Sequence, residues 1–457
     1  MTSEASPDGA VIEVLVRAAD AGSTYLTWRW LDERDSPNFE VLAAASVARA
    51  VGLLDTALIA RLPGETAAAA AARALTVGAF AEPGTEHALA VALTDAVLPR
   101  RLRRQTLARL ASGHRIRFRV TPSQRLARIP WELLCLDDDL RLIEAVEIVY
   151  DPPATVYVGR SRIPPPDGWH AMRHLPALFV IDPVLPPRAG DHGLRRILDR
   201  VDIPAFAARL AAHVAAERIT EAEREIALAY CLDRVELSAA LRTPRSRLFY
   251  VGHISAEPDE PGSASLHLYD TARTWGMAQP LRRRSATTGA ARADAADHLP
   301  LSALDLLLGT RLAGQHVWAR YGDSAAANGA DLWPMPPRVA MIACEGSIDY
   351  RSSETFGLVV AVLDAGAELV TTTRWPLPAN RAFRAVGREV MPTSALALRV
   401  DEAHECCDPV ADLAGWQREQ LTAWRSNGDP AHTPLVWASI SQTCAPARVL
   451  RELPRAG

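Results

Sequence analysis

Lysine is missing from all 457 residues, so each of the 50 basic side chains is an arginine. With the many Ala-rich stretches, this looks like the coding bias of a GC-rich bacterial genome and says little about function. Cysteine is scarce: Cys135, Cys231, Cys344, Cys406, Cys407 and Cys444 are unevenly spaced and form no CxxC pair. That excludes a disulfide framework and predicts reduced thiols in a cytoplasmic protein. A charge excess is lacking too, since 54 acidic groups against 50 basic ones leave a net −4. Such a balance argues against a general nucleic-acid or anionic-membrane binder. No apolar run reaches the ~18–20 residues that a bilayer span needs. The stretch from Gly357 to Thr373 comes nearest and is interrupted by Asp364 and Glu368. The first residues, MTSEASPDGA, lack the basic and apolar regions of a signal peptide, and no repeat of solenoid period is visible. What remains is 49% hydrophobic and 23% charged, ordinary for a globular chain with a large core.

That length suits two or three packed domains. Val11–Arg17 and Thr24–Trp30 read as two strands, as a hairpin or apart, and Ala-rich helices are predicted near 41–61, 65–80 and 86–111. Arg115–Val120 alternates strictly, a half-buried strand, and Leu142–Tyr150 reads as another. RSRIPPPDG at 160–168 can continue neither helix nor strand and is the predicted boundary between an α+β N-terminal region (1–165) and a second domain (166–457). In that second domain, strand-length apolar runs at 175–181, 247–251, 338–343 and 368–373 alternate with helical segments near 193–201, 204–218, 220–241, 302–308 and 354–365. The expectation is an α/β three-layer sandwich around a mostly parallel sheet. Residues 271–298 and 320–337 interrupt the rhythm and read as mobile surface loops.

Reacting groups in open α/β sheets gather at the carboxyl ends of strands. RLFYV runs into Gly252-His253, and RVAMIA runs into Cys344-Glu345-Gly346. Were those strands parallel neighbours, an imidazole and a thiol would share one edge. A thiol of pKa ~8.5 needs a base or a positive neighbour to become a nucleophile, and histidine supplies the base. The backbone N–H groups of Ile254 and Cys344 could meet a developing oxyanion. Each residue also has a bland reading: cysteine after an apolar strand is ordinarily inert core, and His253 could simply be a satisfied turn histidine.

Five blocks in order then resemble the CHAT domain, a caspase-like cysteine peptidase family related to separases and metacaspases. They are Ile129-Pro130-Trp131-Glu132-Leu133-Leu134, Gly252-His253, Ala343-Cys344-Glu345-Gly346, Arg374-Trp375-Pro376 after the turn Ala365-Gly366-Ala367, and the closing strand Pro434-Leu435-Val436-Trp437-Ala438-Ser439. The likeness spans roughly 115–443, so 115–165 belongs to it. It implies that Cys344 is the nucleophile and His253 the general base, with Trp131 and Leu133 packing the N-terminal part on the catalytic sheet. Where the family has His-Gly, Ile254 follows His253; its β-branch crowds the oxyanion donor. That departure favours the alternative, a catalytically silent scaffold kept for protein binding.

For specificity, Asp182 would imply a basic residue before the cut and Arg374 an acidic or neutral one; the two could also pair and leave an apolar pocket. Trp375 would line a subsite or sit in the core. No cofactor and no metal are implied, since His404-Glu405-Cys406-Cys407 has no second ligand pair at finger spacing. Arg282, Arg283 and Arg284 read as a solvated loop or as an activation loop cut during maturation, while a nucleic-acid site there is opposed by the net charge. The expected partners are a protein substrate and a separate sensor or repeat-protein activator, in a stress, cell-death or antiphage response, with no nucleic acid and no membrane.

Overall fold

The computed structural model describes residues 11–33, 37–153, 156, 168–228, 230–256, 260, 262–281, 294–344 and 355–445; for Asp191, Cys344, Thr355 and Phe356 it describes the main chain alone. The segment 160–167 of the predicted boundary, Arg282–Arg284, and Glu345 with Gly346 fall outside the described residues.

Period-two alternation shapes the N-terminal strands. β1 (Val11–Ala21) and β2 (Ser23–Trp30) form an antiparallel hairpin about Gly22, whose φ of 75° is one that glycine adopts without strain. Leu26, Trp28 and Trp30 turn inward, while Tyr25, Thr27 and Arg29 face out. β3 (Asn38–Leu42) pairs with β2, and β4 (Arg115–Thr121) runs parallel to β1 with Ile116, Phe118 and Val120 buried. Helices α1 (Ala44–Ala57), α2 (Ala67–Thr76), α3 (Pro83–Val97) and α4 (Arg100–Ala111) contribute to the same core. One helix was expected over 86–111. Pro99, with no N–H to extend α3, breaks it into two. The other face of these strands carries a half-buried lattice of charge: Arg117 pairs with Glu13 and Glu147, and Arg119 with Glu13 and Asp151.

Leu142–Tyr150, expected as one strand, is a helical turn (Leu142–Ala145) followed by β5 (Glu147–Tyr150). The Glu144 carboxylate accepts from the Arg141 N–H at 2.8 Å, a side-chain bond that favours the turn over extension. β5 then meets β12 (Ile440–Cys444) at Tyr150 and Thr443, so the two predicted parts share a single sheet.

The second part builds the parallel centre. β6 (Ala177–Ile181) pairs with β7 (Arg247–Ser255), β7 with β10 (Arg338–Cys344), and β10 with β11 (Leu369–Thr373), all parallel. The short β8 (Ser265–Leu266) and β9 (Leu301–Ser302) extend the sheet past β7. The twelve strands run β3-β2-β1-β4-β5-β12-β11-β10-β7-β8-β9, with β6 also on β7. Phe249, Val251, Ala340 and Ile342 pack under α5 (Ile203–Ala215) and, further along the chain, the helix Pro392–Ala403. Leu248, Tyr250, Val339 and Met341 pack under α6 (Arg234–Arg242), α7 (Ala303–Leu308) and α8 (Thr355–Asp364). This is the expected α/β sandwich, apolar on both faces because both are covered.

Several local expectations are corrected. Residues 193–201 form turns, and 220–241 is two helices, each opened by a capping box from Thr220 or Asp233. The expected closing strand at 434–439 begins as a helical turn, Pro434–Trp437, and β12 follows it. Within residues 320–337, Tyr321, Leu332, Trp333 and Met335 are buried against the second core cluster. Among the described residues, no helix is long and apolar enough to cross a membrane.

Call the helix Pro392–Ala403 α9. Its Asp401 is fully buried and staples it to the sheet through Arg247 of β7, with His213 and Arg209 of α5 on the same carboxylate. Burial alone would raise the Asp401 pKa, but the Arg247 and Arg209 guanidinium groups and the hydrogen bond to His213 hold it well below the usual carboxylate range. The contribution to stability is therefore present above the unfolded carboxylate pKa and is lost as pH falls. Asp401→Asn is expected to destabilise the fold by about 3 kcal/mol at pH 7, because it removes the buried carboxylate that Arg247 and Arg209 share and leaves Arg247 with Glu405. Urea unfolding at pH 7 and at pH 3.5 checks this, the difference between variant and wild type shrinking at the acid end.

Candidate active site

Strand β7 delivers His253 and strand β10 delivers Cys344. The ladder between them is continuous from Arg247 opposite Arg338 to His253 opposite Cys344. Register partners in a parallel pair lie side by side, ~4.8 Å apart across the sheet. The two residues singled out from sequence are thus neighbours at the carboxyl edge, 91 positions apart along the chain but one strand apart in space.

His253 is buried, 4% exposed, and its Nε2 lies 2.6 Å from the Arg195 carbonyl oxygen. A carbonyl only accepts, so that contact puts the ring proton on Nε2 and makes Nδ1 the basic nitrogen. Tyr250 fixes the main chain beneath it: its hydroxyl donates to the His253 carbonyl at 2.8 Å. The phenol lies over Gly252, where a Cβ would sit 2.3 Å from the hydroxyl oxygen. Only glycine fits there.

Beside His253 lies a buried histidine pair that sequence reading passed over. His267 and His298 are fully buried, with Nδ1 of His267 2.9 Å from Nε2 of His298. The Ser255 hydroxyl and the Asp270 carbonyl cap the two ends, at 2.7 Å and 2.9 Å. The carbonyl accepts a hydrogen bond from the His298 Nδ1–H, which orders donors along the chain from Ser255 to Asp270. Burial keeps both rings neutral, pushing His298 down to about 4 and His267 well below its ordinary value. The signal was present as Ser265 and His267 at alternate positions between leucines, but nothing in the pattern tied them to His298.

The oxyanion expectation meets an obstacle. The His253 carbonyl accepts from the His267 N–H at 3.2 Å, so the main-chain groups of His253 point toward β8. Alternation then turns those of Gly252 and Ile254 toward β10, where the rung at Cys344 continues the ladder. In this register both expected donors, the Ile254 and Cys344 N–H groups, lie within the sheet instead of aiming at a substrate oxygen.

The three residues expected to bind substrate are placed differently from one another. Asp182 is 2% exposed, and its carboxylate accepts from Arg196 Nε at 2.6 Å and from the N–H groups of Ile197 and Leu198 at 2.9 and 3.1 Å. It ties down the segment bearing Arg195, at the cost of a positive φ of 48°. Arg374 is buried and donates to Glu132 at 2.8 Å, to the Tyr150 hydroxyl and to the carbonyls of Ala438 and Ile440. Burial by itself would lower its pKa; Glu132 and Tyr150 outweigh that and raise it. The two charges expected as alternatives, or as a pair, are therefore each occupied by other partners. Trp375 is also buried, its indole donating to the Leu435 carbonyl at 2.8 Å, yet its ring lines a cleft at the strand ends.

Glu132 is the residue that sequence reading overlooked within its own motif. Trp131 and Leu133 are buried as expected, while the carboxylate between them reaches Arg374 at the end of β11. His404, Cys406 and Cys407 do other work as well: their carbonyls receive the Arg338 guanidinium at 2.6–3.0 Å. Among the described residues no cluster of ligand type could hold a metal ion.

A mostly parallel sheet covered by helices on both faces is the architecture of a caspase-like sandwich. The CHAT domain model matches residues 87–446, well over half of the chain, and the chain belongs to that family of caspase-like peptidases. A search of curated proteins finds no match.

Because His267 and His298 are held neutral in the fold, the unfolded chain binds more protons below ~6.5, so stability falls with pH through that range. The melting temperature is expected to drop between pH 6.5 and 4.5, and His267→Gln/His298→Gln is expected to flatten that slope. Calorimetry across the range checks it.

Proposed function

We propose that the chain is a cysteine endopeptidase in which Cys344 is the nucleophile and His253 the general base. The observation that carries this reading is the register pairing of the two residues at the carboxyl ends of β7 and β10. With the Nε2 proton held by the Arg195 carbonyl, Nδ1 of His253 takes the thiol proton. The thiolate attacks the scissile carbonyl, and the tetrahedral intermediate collapses as His253 returns the proton to the leaving amine. Water, deprotonated by the same nitrogen, then hydrolyses the thioester. For the Ile254 and Cys344 N–H groups to hold the oxyanion, the last rung between β7 and β10 has to open. A closed rung suits an enzyme that waits for an activator.

The substrate is a specific protein, and the setting a bacterial cytoplasmic stress, cell-death or antiphage response triggered by a separate sensor or repeat protein. The free thiols among the described cysteines agree with a reducing compartment. No cofactor is needed for this chemistry. A second reading, the silent scaffold, is favoured by one feature: Ile254 in place of glycine, paired opposite Leu266.

Selective modification of Cys344 by a peptidyl acyloxymethyl ketone, against the remaining thiols, is expected for the peptidase. Cys344→Ala and His253→Ala are each expected to lower peptide cleavage by at least about 10³-fold, with folding of each variant verified by its melting temperature. Reactivity of Cys344 no higher than that of the other cysteines supports the scaffold instead.

A further inference from the structure

We propose that Asp182 is a positioning residue for the reaction rather than a specificity residue. Its carboxylate holds the Arg195 carbonyl against His253 Nε2 and so keeps Nδ1 as the base; the proposal rests on the peptidase reading above. The Arg195 carbonyl, 2.6 Å from Nε2, belongs to residues 193–201, which form turns. With no helix or ladder to aim it, a carbonyl in such a segment takes its direction from side chains. Asp182 supplies that direction. Its carboxylate accepts from Arg196 Nε at 2.6 Å and from the N–H groups of Ile197 and Leu198 at 2.9 and 3.1 Å, the three residues that follow Arg195. Burial of the Ile197 and Leu198 side chains sets the depth of the segment, and the two N–H bonds set how its peptide planes are turned.

This support closes into a ring. Asp182 follows the last residue of β6, and its own N–H donates to the Val251 carbonyl at 2.7 Å, two positions before His253 on β7. The path from His253 through Arg195, Ile197 and Asp182 thus returns to the strand that bears His253, and imidazole and acceptor keep one geometry. The helix Asn380–Ala385 clamps the same segment: Arg381 donates to the Arg196 carbonyl at 2.5 Å, Arg384 pairs with Asp199, and Asn380 donates to Asp202 at 2.6 Å. The positive φ of 48° at Asp182 is one that asparagine also adopts, so Asp182→Asn isolates the carboxylate from the backbone. Asparagine offers one acceptor oxygen and turns an NH2 group toward donors, so it cannot hold all three. The segment then turns, and Nε2 and Nδ1 of His253 compete for the ring proton. Such a loss falls on the chemical step, whereas a carboxylate that reads a basic side chain acts on binding.

Two measurements on the full chain test this: labelling of Cys344 by acyloxymethyl ketones bearing arginine or leucine beside the warhead, and nitrogen NMR of histidine-labelled protein, with the His253 signal assigned by His253→Gln. In the wild type the ring of His253 is expected as the Nε2–H tautomer. In Asp182→Asn it is expected to become a mixture of tautomers while the His267 and His298 signals stay in place. The maximal labelling rate is expected to fall about 10²-fold with both probes, and the half-saturating probe concentration to change by less than about threefold. Arg196→Met removes one of the donors at a side chain that is 44% exposed, and is expected to give a smaller loss in the same direction. An unchanged His253 tautomer in Asp182→Asn, or in Arg196→Met where Asp182→Asn does not fold, overturns the proposal. A loss confined to the arginine probe and to its half-saturating concentration assigns Asp182 to substrate binding and overturns it too. If the His253 signal responds as stated but Cys344 labels no faster than the other thiols, the peptidase reading fails and the hold of Asp182 on His253 stands.

Discussion

The ladder between β7 and β10 is the constraint on which everything functional depends. Parallel pairing fixes which residues stand side by side along its whole length, because a slip of one would turn every side chain to the opposite face and break the packing against both helix layers. Arg247 lies opposite Arg338 at one end, and His253 opposite Cys344 at the other. Both strands are apolar on both faces between those ends, so helices on either side hold the register. The same pairing that brings imidazole and thiol positions together also turns the neighbouring N–H groups into the sheet. On the proposed peptidase reading, proximity of the pair and access to an oxyanion compete at a single rung.

Around that edge, charge serves the frame more than the substrate. Asp182 and Arg196 secure the segment whose carbonyl orients His253, and Glu132 with Arg374 joins the N-terminal part to the end of β11. The Glu132–Arg374 pair is buried on both sides, and a pair of that kind is costly to form and costlier to break, so it favours one geometry over its alternatives. The result is a cleft whose ionic side chains are satisfied elsewhere and whose exposed wall is apolar.

The strands that carry the site were legible because their patterns were strong. RLFYV and RVAMIA are too apolar and too short to be anything but buried strands between helices, and Arg115–Val120 alternates as strictly in the fold as in the sequence. The failures came where a local interaction overruled propensity: Pro99 splitting a helix, Glu144 closing a turn inside an expected strand, Pro434 starting a helical turn before β12. Residues 320–337 looked like a loop because Gly, Ala and Pro dominate them, yet Trp333 and Met335 are buried. Composition describes the average of a segment, and packing is decided by its few large side chains.

The sequence by itself determined the α/β architecture, the family and the two positions of reactive type, since periodicity and motif order are local properties written along the chain. Tertiary structure decided which charges are free to act. Asp182 and Arg374 carry the same formal charges in any conformation, but whether each meets a substrate or a partner depends on Arg196, Glu132 and Tyr150 arriving from elsewhere in the chain. Electrostatic function is a property of pairs, and pairs between distant residues exist only once the chain has folded.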